Sequence, residues 1–176
     1  MIRDVITYPN PLLRKKSEDV VKFDSELHTL LDDMYETMME FSGVGLAAIQ
    51  VAVPLNVLII CLPNEEDIQD KENLIEAINP KITHKDGIQI FTEGCLSVPG
   101  YNEDVKRAQH IKVEYFDRDG NAQSMEVEDF LAVAWQHEMD HLEGHLFIEN
   151  LSIIKRKKFE KEWKRKLKEE NKKTTL

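Results

Sequence analysis

The sequence predicts an α+β fold in which short, mostly antiparallel strands pack around one central helix, with a further helix at the C-terminal end. Three features carry this prediction: an amphipathic helical segment near residue 30, short strand-like runs between residues 57 and 128, and two helical segments after them. A hairpin signal among the runs favours antiparallel pairing.

Length and composition bound the class of protein. The 176 residues fit one domain, or one domain with an appendage, and 41% hydrophobic residues suffice for a core. The longest apolar run, Val57–Leu62, is far shorter than the about 20 residues of a membrane span, and Met1–Thr7 has no apolar signal segment. Two distant cysteines do not make a disulfide framework. We therefore exclude a secreted mini-protein, a membrane protein and a fibrous protein, and expect a cytoplasmic location.

The first helix is predicted over Ser25–Phe41. Asp24 or Ser25 can cap its start, and Ser42-Gly43 can end it. Its apolar residues recur at a spacing of three to four, which is typical of a helix with one buried face: Leu27, Leu30, Leu31, Met34, Met38 and Phe41.

The following segments predict strands and loops. Gly43–Ala48 is small and flexible, and Val57–Leu62 predicts a buried strand. Asn64–Asn73 is a polar loop. Leu74–Asn79 and Ile82–Thr92 predict two strands, separated at Pro80, with a turn at Asp86-Gly87 inside the second.

The next segments end in the central helix. Ile111–Phe116 and Gln123–Glu128 flank Asp117–Asn121 and predict a hairpin. Asp129 is then expected to cap a helix that runs to about Glu143 and ends at Gly144, and a last helix spans about Ile153 to Glu170.

The central helix contains the most informative motif, His137-Glu138-Met139-Asp140-His141. Two histidines at i and i+4 lie on one helix face, which suits two imidazoles on one metal ion. Glu138 stands beside the first histidine, where it can take a proton from a water on the metal. Phe130, Val133 and Ala134 share the same helix face, which favours an apolar pocket beside the ion. Solvated histidines and ordinary core packing are the alternatives.

A catalytic metal site normally has three protein ligands and one open position. Cys95 is the favoured third ligand, because it follows a predicted strand, has Gly94 beside it, and precedes Pro99-Gly100, which is expected to turn the chain away. Cys61 lies in an apolar strand, where a structural cysteine is expected. The remaining candidates follow the motif: His145, Glu149, Glu160 and Glu162, whereas position 147, where some metallopeptidases have a third histidine, is Phe147.

Three segments then resemble, in order and spacing, the signature motifs of bacterial-type peptide deformylases: Gly43-Val44-Gly45-Leu46-Ala47-Ala48-Ile49-Gln50, Glu93-Gly94-Cys95-Leu96-Ser97 and Gln136-His137-Glu138-Met139-Asp140-His141-Leu142-Glu143-Gly144. The resemblance covers about residues 1–150. It implies removal of the N-formyl group from the N-terminal formyl-methionine of newly synthesised polypeptides, with release of formate.

The resemblance also implies residue roles. Cys95, His137 and His141 hold one divalent metal ion, usually Fe²⁺ in this family, with Zn²⁺ or Ni²⁺ able to occupy the same site. Glu138 activates the metal-bound water, and Gln50 together with the backbone N–H of Leu96 holds the oxyanion. The expected substrate-binding residues are Val44, Phe130, Val133 and Ala134 at the methionine side chain and Gly45 and Gly94 at the substrate backbone.

Two further expectations come from the family pattern. Glu93 is expected to pair with Arg107. Tyr101-Asn102 departs from the pattern, because many relatives have an arginine near the mouth of the site.

Two other functions stay open at this point. A small metallopeptidase would cleave unformylated peptides and use a third ligand other than Cys95. A structural metal or RNA-interaction module would have a closed four-ligand site and no hydrolysis.

Charge divides the chain into an acidic catalytic domain, 1–150, and a basic C-terminal helical extension, 151–176. Residues 155–173 contain 11 Lys and Arg against 4 Glu, a net of +7, which leaves −17 for residues 1–154. Phe159, Trp163 and Leu167 recur every four residues and predict a helix that rests on the domain by a thin stripe. A second interpretation is that this helix docks to the ribosome, where nascent chains emerge.

Overall fold

Two antiparallel sheets and three α-helices make up the computed structural model, which describes residues 1–174. The larger sheet has the order β1-β2-β3-β6-β7, with β1 Gly45–Ala47, β2 Val57–Ile60, β3 Ile75–Asp86, β6 His110–Phe116 and β7 Ala122–Glu128. The smaller sheet pairs β4 (Gln89–Cys95) with β5 (Val98–Arg107). The helices are α1 (Ser25–Glu40), α2 (Asp129–Leu142) and α3 (Ile153–Thr174). The predicted α+β class is confirmed.

The central helix of the fold is α2, which contacts β1, β2, β4, β6 and β7. Trp135 and Leu142 are buried in the apolar cluster that α2 forms with the larger sheet. His137, Glu138 and His141 are also buried. Apolar burial therefore anchors the helix that carries the polar side chains of the candidate site.

The helix α1 follows its predicted limits closely. The Asp24 carboxylate accepts hydrogen bonds from the backbone N–H groups of Glu26 and Leu27, which is the expected N-terminal cap. Its apolar face is buried against β1 and β2. Phe41, predicted as its last residue, lies one position beyond its end and is half-exposed.

The predicted break at Pro80 is wrong, because β3 runs through this residue. Proline cannot donate a ladder hydrogen bond, so it fits a strand only where that bond is not required. The register of β3 with β6 shifts between Ile78 and Lys81, and Pro80 falls in this irregular stretch. The turn predicted at Asp86-Gly87 does separate β3 from β4, and Gly87 has a positive φ of 67°.

Two glycine-containing segments, Gly43–Ala48 and Pro99-Gly100, fold differently from the prediction. Gly43–Ala48, predicted as a flexible segment, contains the buried strand β1, which pairs with β2. Pro99-Gly100 does not turn the chain, because both residues lie within β5. The turn comes earlier: Cys95 pairs with Val98, so the chain reverses through the two residues between them.

The ends of α2 and α3 differ from the prediction in detail. Asp129 is the first residue of α2 rather than its cap, and it adopts a positive φ of 55°. The cap position is occupied by Glu128, whose side chain makes no capping hydrogen bond. Gly144 follows α2 with a φ of 80°, as expected for a residue that ends a helix. The helix α3 continues beyond the predicted end at Glu170.

Candidate active site

The candidate site is built on the face of α2 that carries His137 and His141. Their Nε2 atoms lie 3.3 Å apart. The side chains are nearly inaccessible, because α2 is surrounded by the larger sheet and by the hairpin of β4 and β5. The spacing of four residues thus places two imidazole nitrogens at one point, as the sequence predicted.

Cys95 approaches the same point from the end of β4. Its Sγ atom lies 3.4 Å from His141 Nε2, and the candidate ligand atoms of Cys95, His137 and His141 all lie within 4.8 Å of one another. Among the described residues this is the one group of three or more such side chains that could hold an ion. Tetrahedral coordination with bonds of about 2.0–2.3 Å separates neighbouring ligand atoms by about 3.3–3.6 Å, so the donor set fits a divalent ion.

The other candidate third ligands lie elsewhere in the structure. His145 is exposed and pairs with Glu149. Glu160 lies on α3 and pairs with Arg156. Cys61, which was expected to be a structural cysteine rather than a ligand, is fully buried, and its Sγ donates to the backbone carbonyl of Asp70.

A network of charged side chains orients the first histidine. Glu93 Oε1 lies 2.8 Å from His137 Nδ1, which leaves Nε2 as the nitrogen that faces Cys95 and His141. Arg107 donates two hydrogen bonds to the Glu93 carboxylate, at 2.8 and 2.9 Å, and a third to Asp140. The expected pair of Glu93 and Arg107 is therefore present, and it holds the histidine ring.

The same network sets the direction of the pKa shifts. Burial raises the pKa of Glu93, but the hydrogen bonds from Arg107 and His137 outweigh burial and lower it. Burial lowers the pKa of His137, but hydrogen bonds with Cys95 and Glu93 outweigh it and raise that pKa well above its usual value. Burial and the charge of His137 lower the pKa of His141. The two histidines therefore differ in environment although they lie on one helix face.

Glu138 is buried beside the three candidate ligands. Burial raises its pKa to about 7, which suits a group that both takes and returns a proton near neutral pH. Its Oε2 atom has no hydrogen-bond partner among the described residues. A Cβ atom at Gly45 would stand 2.5 Å from Glu138 Oε1, so a side chain there would displace the carboxylate. A glycine is therefore required at position 45 of the first motif because the Glu138 carboxylate of the third motif occupies the space of a side chain.

Gln50 links the first two motifs. Its side-chain oxygen accepts the backbone N–H of Ala47, so its amide nitrogen is turned toward the hairpin. There Gln50 Nε2 donates to Ser97 Oγ at 3.1 Å and lies 3.6 Å from Cys95 Sγ. Leu96 and Ser97 form the turn between β4 and β5, and Leu96 lies at the adjoining cavity.

A cavity of about 640 Å³ opens beside these groups. It is lined by the candidate catalytic residues Gln50, Cys95, Leu96, His137 and Glu138 and by every predicted substrate-binding residue, namely Val44, Gly45, Gly94, Phe130, Val133 and Ala134. His141 lies behind this surface, 1% exposed. The volume is within the range of pockets that enclose a small ligand.

The sequence interpretation missed several residues of the cavity. Phe91 stacks on Phe130, with ring centroids 4.8 Å apart, and Thr92 and Val98 also line the wall. Every second side chain of a strand lies on the same face, so Phe91 could have been predicted to lie on the cavity side together with Glu93, two residues further along β4. Phe147 packs on the His137 ring at 6.0 Å, and no local pattern indicates that contact.

A cysteine and two histidines with converging donor atoms, a buried glutamate and an adjoining pocket together define a candidate metal-dependent hydrolase. Comparison with known proteins narrows this class. The family described as polypeptide deformylase matches residues 2–157. The curated peptide deformylases of Nautilia profundicola and Campylobacter jejuni are 57% and 58% identical to the chain, and each alignment covers 98% of the chain and 99% of the relative.

Solved structures agree with the sequence relatives. A peptide deformylase from Legionella pneumophila superposes with a TM-score of 0.86 at 39% identity, covering 94% of this chain and 96% of that one. A peptide deformylase from Ehrlichia chaffeensis in complex with actinonin gives a TM-score of 0.85 at 39% identity, covering 94% and 97%. The chain belongs to the peptide deformylase family, enzymes that remove N-formyl groups from nascent peptides.

None of the helices in the described part of the chain has the length and apolar character needed to cross a membrane.

Proposed function

We propose that this enzyme hydrolyses the N-formyl group of the N-terminal formyl-methionine of newly synthesised polypeptides and releases formate. The observation that carries the proposal is the convergence of Cys95 Sγ and the two histidine nitrogens next to the buried Glu138, at the wall of an apolar pocket. Nascent chains emerge in the cytoplasm, so this substrate implies a cytoplasmic enzyme.

Cys95, His137 and His141 are the proposed ligands of one divalent metal ion. A thiolate with two imidazoles is a donor set that Fe²⁺, Zn²⁺ and Ni²⁺ all accept, and we propose Fe²⁺ as the native ion on the basis of the family resemblance. When bound, the ion acts as a Lewis acid that lowers the pKa of water and polarises the formyl oxygen.

Glu138 is the proposed general base and acid. It accepts a proton from the attacking water as the water oxygen bonds to the formyl carbon. The carbon–nitrogen bond then breaks, and the same proton passes to the departing amine, so one carboxylate serves both steps. The raised pKa of Glu138 supports this exchange, because the group is neither a strong acid nor a strong base at neutral pH.

Gln50 and Leu96 are the proposed donors to the oxyanion. The Gln50 amide nitrogen already lies beside Cys95 Sγ, held in place by its bonds to Ala47 and Ser97. The backbone N–H of Leu96 is the second donor. A donor that is fixed before the reaction stabilises developing charge without reorganisation, and such a donor typically contributes about 2.7–4 kcal/mol.

The apolar residues of the pocket are proposed to select methionine. Val133 and Ala134 lie one helical turn before His137, and Phe130 lies one turn further from it. This row gives a long, unbranched side chain apolar contact next to the reacting group. Val44, Gly45 and Gly94 form the remaining proposed substrate contacts.

Two assays test this proposal together. The chain, purified without oxygen and loaded with Fe²⁺, is expected to release formate from a formyl-Met-Ala-Ser peptide and to leave the unformylated peptide intact. Cleavage of the unformylated peptide would instead favour a metallopeptidase, and absence of both activities with a full metal complement would favour a structural site.

We also propose that residues 151–176 are a basic extension of a catalytic domain over 1–150, and that α3 contacts the ribosome. Residues 175 and 176 lie outside the described residues. Phe159 and Trp163 are buried against the domain, whereas Leu167 is 37% exposed. The outward face therefore carries the positive charge, on Lys157, Lys158, Lys161, Lys164, Arg165 and Lys168, all exposed.

Charge substitution tests this contact without removing the buried stripe. Replacing Lys157, Lys161, Lys164 and Lys168 by glutamate is expected to abolish salt-sensitive co-sedimentation with ribosomes. The matched control replaces four exposed lysines outside α3, Lys15, Lys22, Lys81 and Lys85, by glutamate and is expected to sediment like the unsubstituted chain. Equal sedimentation of both variants would contradict the proposal.

A further inference from the structure

The polar loop over residues 64–73 reaches the candidate active site through one side chain. Gln69 Nε2 donates to the backbone carbonyl of Gly43 at 2.8 Å and to that of Cys61 at 2.7 Å. Gly43 lines the catalytic cavity, whereas Gln69 does not. The Gln69 amide thus connects Gly43, in the wall of the cavity, with Cys61 at the end of β2, although Gln69 itself lies outside the cavity.

The loop is built so that this amide faces inward. The side-chain oxygen of Asn64 accepts hydrogen bonds from the backbone N–H groups of Glu66 and Ile68. The backbone N–H of Asn64 donates to the backbone carbonyl of Ile68. These three bonds close residues 64–68 into a tight turn, which Asp67 completes with a φ of 61°. The chain therefore returns toward Cys61, and Gln69 is half-buried where its neighbours are exposed.

The wall that Gln69 holds lies against the catalytic glutamate. Gly43 donates its N–H to Met38, the carbonyl of Val44 accepts the Cys61 N–H at 2.9 Å, and Gly45 pairs with Ile60 in the sheet. The backbone of Gly45 lies so close to the Glu138 carboxylate that a Cβ atom would not fit between them. A small movement of the Gly43–Gly45 wall therefore changes the width of the cavity beside Glu138. Gln69 binds the carbonyl of Gly43, at the end of this wall that precedes β1.

We propose that Gln69 is a positioning residue for the reaction: through Gly43 and Cys61 it fixes the Gly43–Gly45 wall against which the substrate backbone lies. The inference rests on the proposed function of this cavity. A fixed wall contributes equally to binding of the substrate and of the transition state, so its loss raises KM and leaves kcat nearly unchanged.

The test compares three substitutions at Gln69 with one control. Gln69→Met keeps the length and removes both donors, Gln69→Glu turns a carboxylate toward two carbonyl oxygens, and Gln69→Lys restores a donor. The control is Gln123→Met, which removes a side-chain amide hydrogen bond from β7 to Asp117, at the exposed end of the β6–β7 hairpin and away from the cavity. The metal content of each purified protein is measured first.

The expected result is a KM for formyl-Met-Ala-Ser raised about 5-fold in Gln69→Met, the size of one or two neutral hydrogen bonds, with kcat within about 2-fold. Gln69→Glu raises KM at least as much, whereas Gln69→Lys and Gln123→Met stay within about 2-fold of the unsubstituted enzyme. An unchanged KM in Gln69→Met, or a loss of kcat and metal instead, would overturn the inference.

Amide hydrogen exchange provides a readout that does not depend on turnover. The amides of residues 44–46 are expected to exchange about 5-fold faster in Gln69→Met than in Gln123→Met, and equal exchange would contradict the positioning role. Failure of the proposed function is distinct from this outcome, because it would show as an unsubstituted, metal-loaded enzyme that releases no formate.

Discussion

The two cysteines of the chain stand at comparable places and have opposite surroundings. Cys61 follows the last residue of β2, and Cys95 is the last residue of β4. Cys61 is packed in the apolar cluster under α1, where its Sγ donates to the backbone carbonyl of Asp70 in the polar loop. Cys95 is half-buried at the wall of the cavity and faces His141 and Gln50.

The element that packs against each cysteine, more than the strand that carries it, therefore determines its chemistry. Burial raises the pKa of the Cys61 thiol, which favours the neutral, unreactive form. Cys95 faces the helix α2, whose two histidine nitrogens complete a donor set. The same residue type thus serves as core packing in one region and as a proposed ligand in the other.

Removal of each thiol in turn is expected to give the largest difference between the two cysteines. Cys95→Ala is expected to lose the metal and, with it, formate release to the background rate, because two imidazoles alone hold the ion weakly. Cys61→Ala is the matched control and is expected to keep about one metal ion per chain and an unchanged kcat. Metal analysis by mass spectrometry and the formate assay check both, and a Cys95→Ala protein with full metal and activity would refute the ligand assignment.

The next largest effect is expected at Glu138, which separates metal binding from turnover. Glu138→Gln should retain the metal, because none of the proposed ligands is changed. Its kcat is expected to fall by about 10²- to 10⁴-fold, because the amide cannot accept a proton from water. Metal content and kcat are measured on the same preparation. Loss of the metal together with activity would mean that Glu138 supports the ion rather than the proton transfer.

A smaller effect is expected from Glu93, which holds His137 from behind. Glu93→Gln keeps an acceptor for His137 Nδ1 but loses the charge that faces Arg107, so metal affinity should fall by about 10- to 100-fold. Competition with a chelator measures the affinity. Asp140→Asn is the control and should weaken metal binding less, since the Asp140 carboxylate also accepts from Arg107 but, among the described residues, makes no hydrogen bond to either histidine ring. Equal losses in both variants would argue against orientation of the ring by Glu93.

Sequence reasoning predicted the helices well and the sheets less well. The limits of α1 and α2 follow from periodicity and end signals, which are local properties. The continuity of β3 through Pro80 depends on a register shift against β6, and β6 is about 30 residues away in sequence. No pattern around Pro80 contains that information. For the same reason the pairing of β1 with β2 was not visible in a short, glycine-containing segment.

The candidate site shows a similar division. Part of each motif lines one cavity, whereas other motif residues, such as Leu46, Ala48 and Leu142, are buried in the apolar clusters. Residues that support the site from outside lie beyond any motif: Phe147 packs on His137 after α2 has ended, and Gln69 reaches Gly43 across a turn of the polar loop. Their roles depend on tertiary contact, so they required coordinates.

The most direct test of the contrast between the two cysteines is alkylation of the native protein with iodoacetamide, mapped by mass spectrometry with and without the metal. Cys95 is expected to be labelled after chelation and protected when one divalent ion is restored, while Cys61 stays unlabelled in both states and reacts only after unfolding. Labelling of Cys95 that the ion does not change, or labelling of Cys61 in its place, would contradict the claim that Cys95 binds the metal.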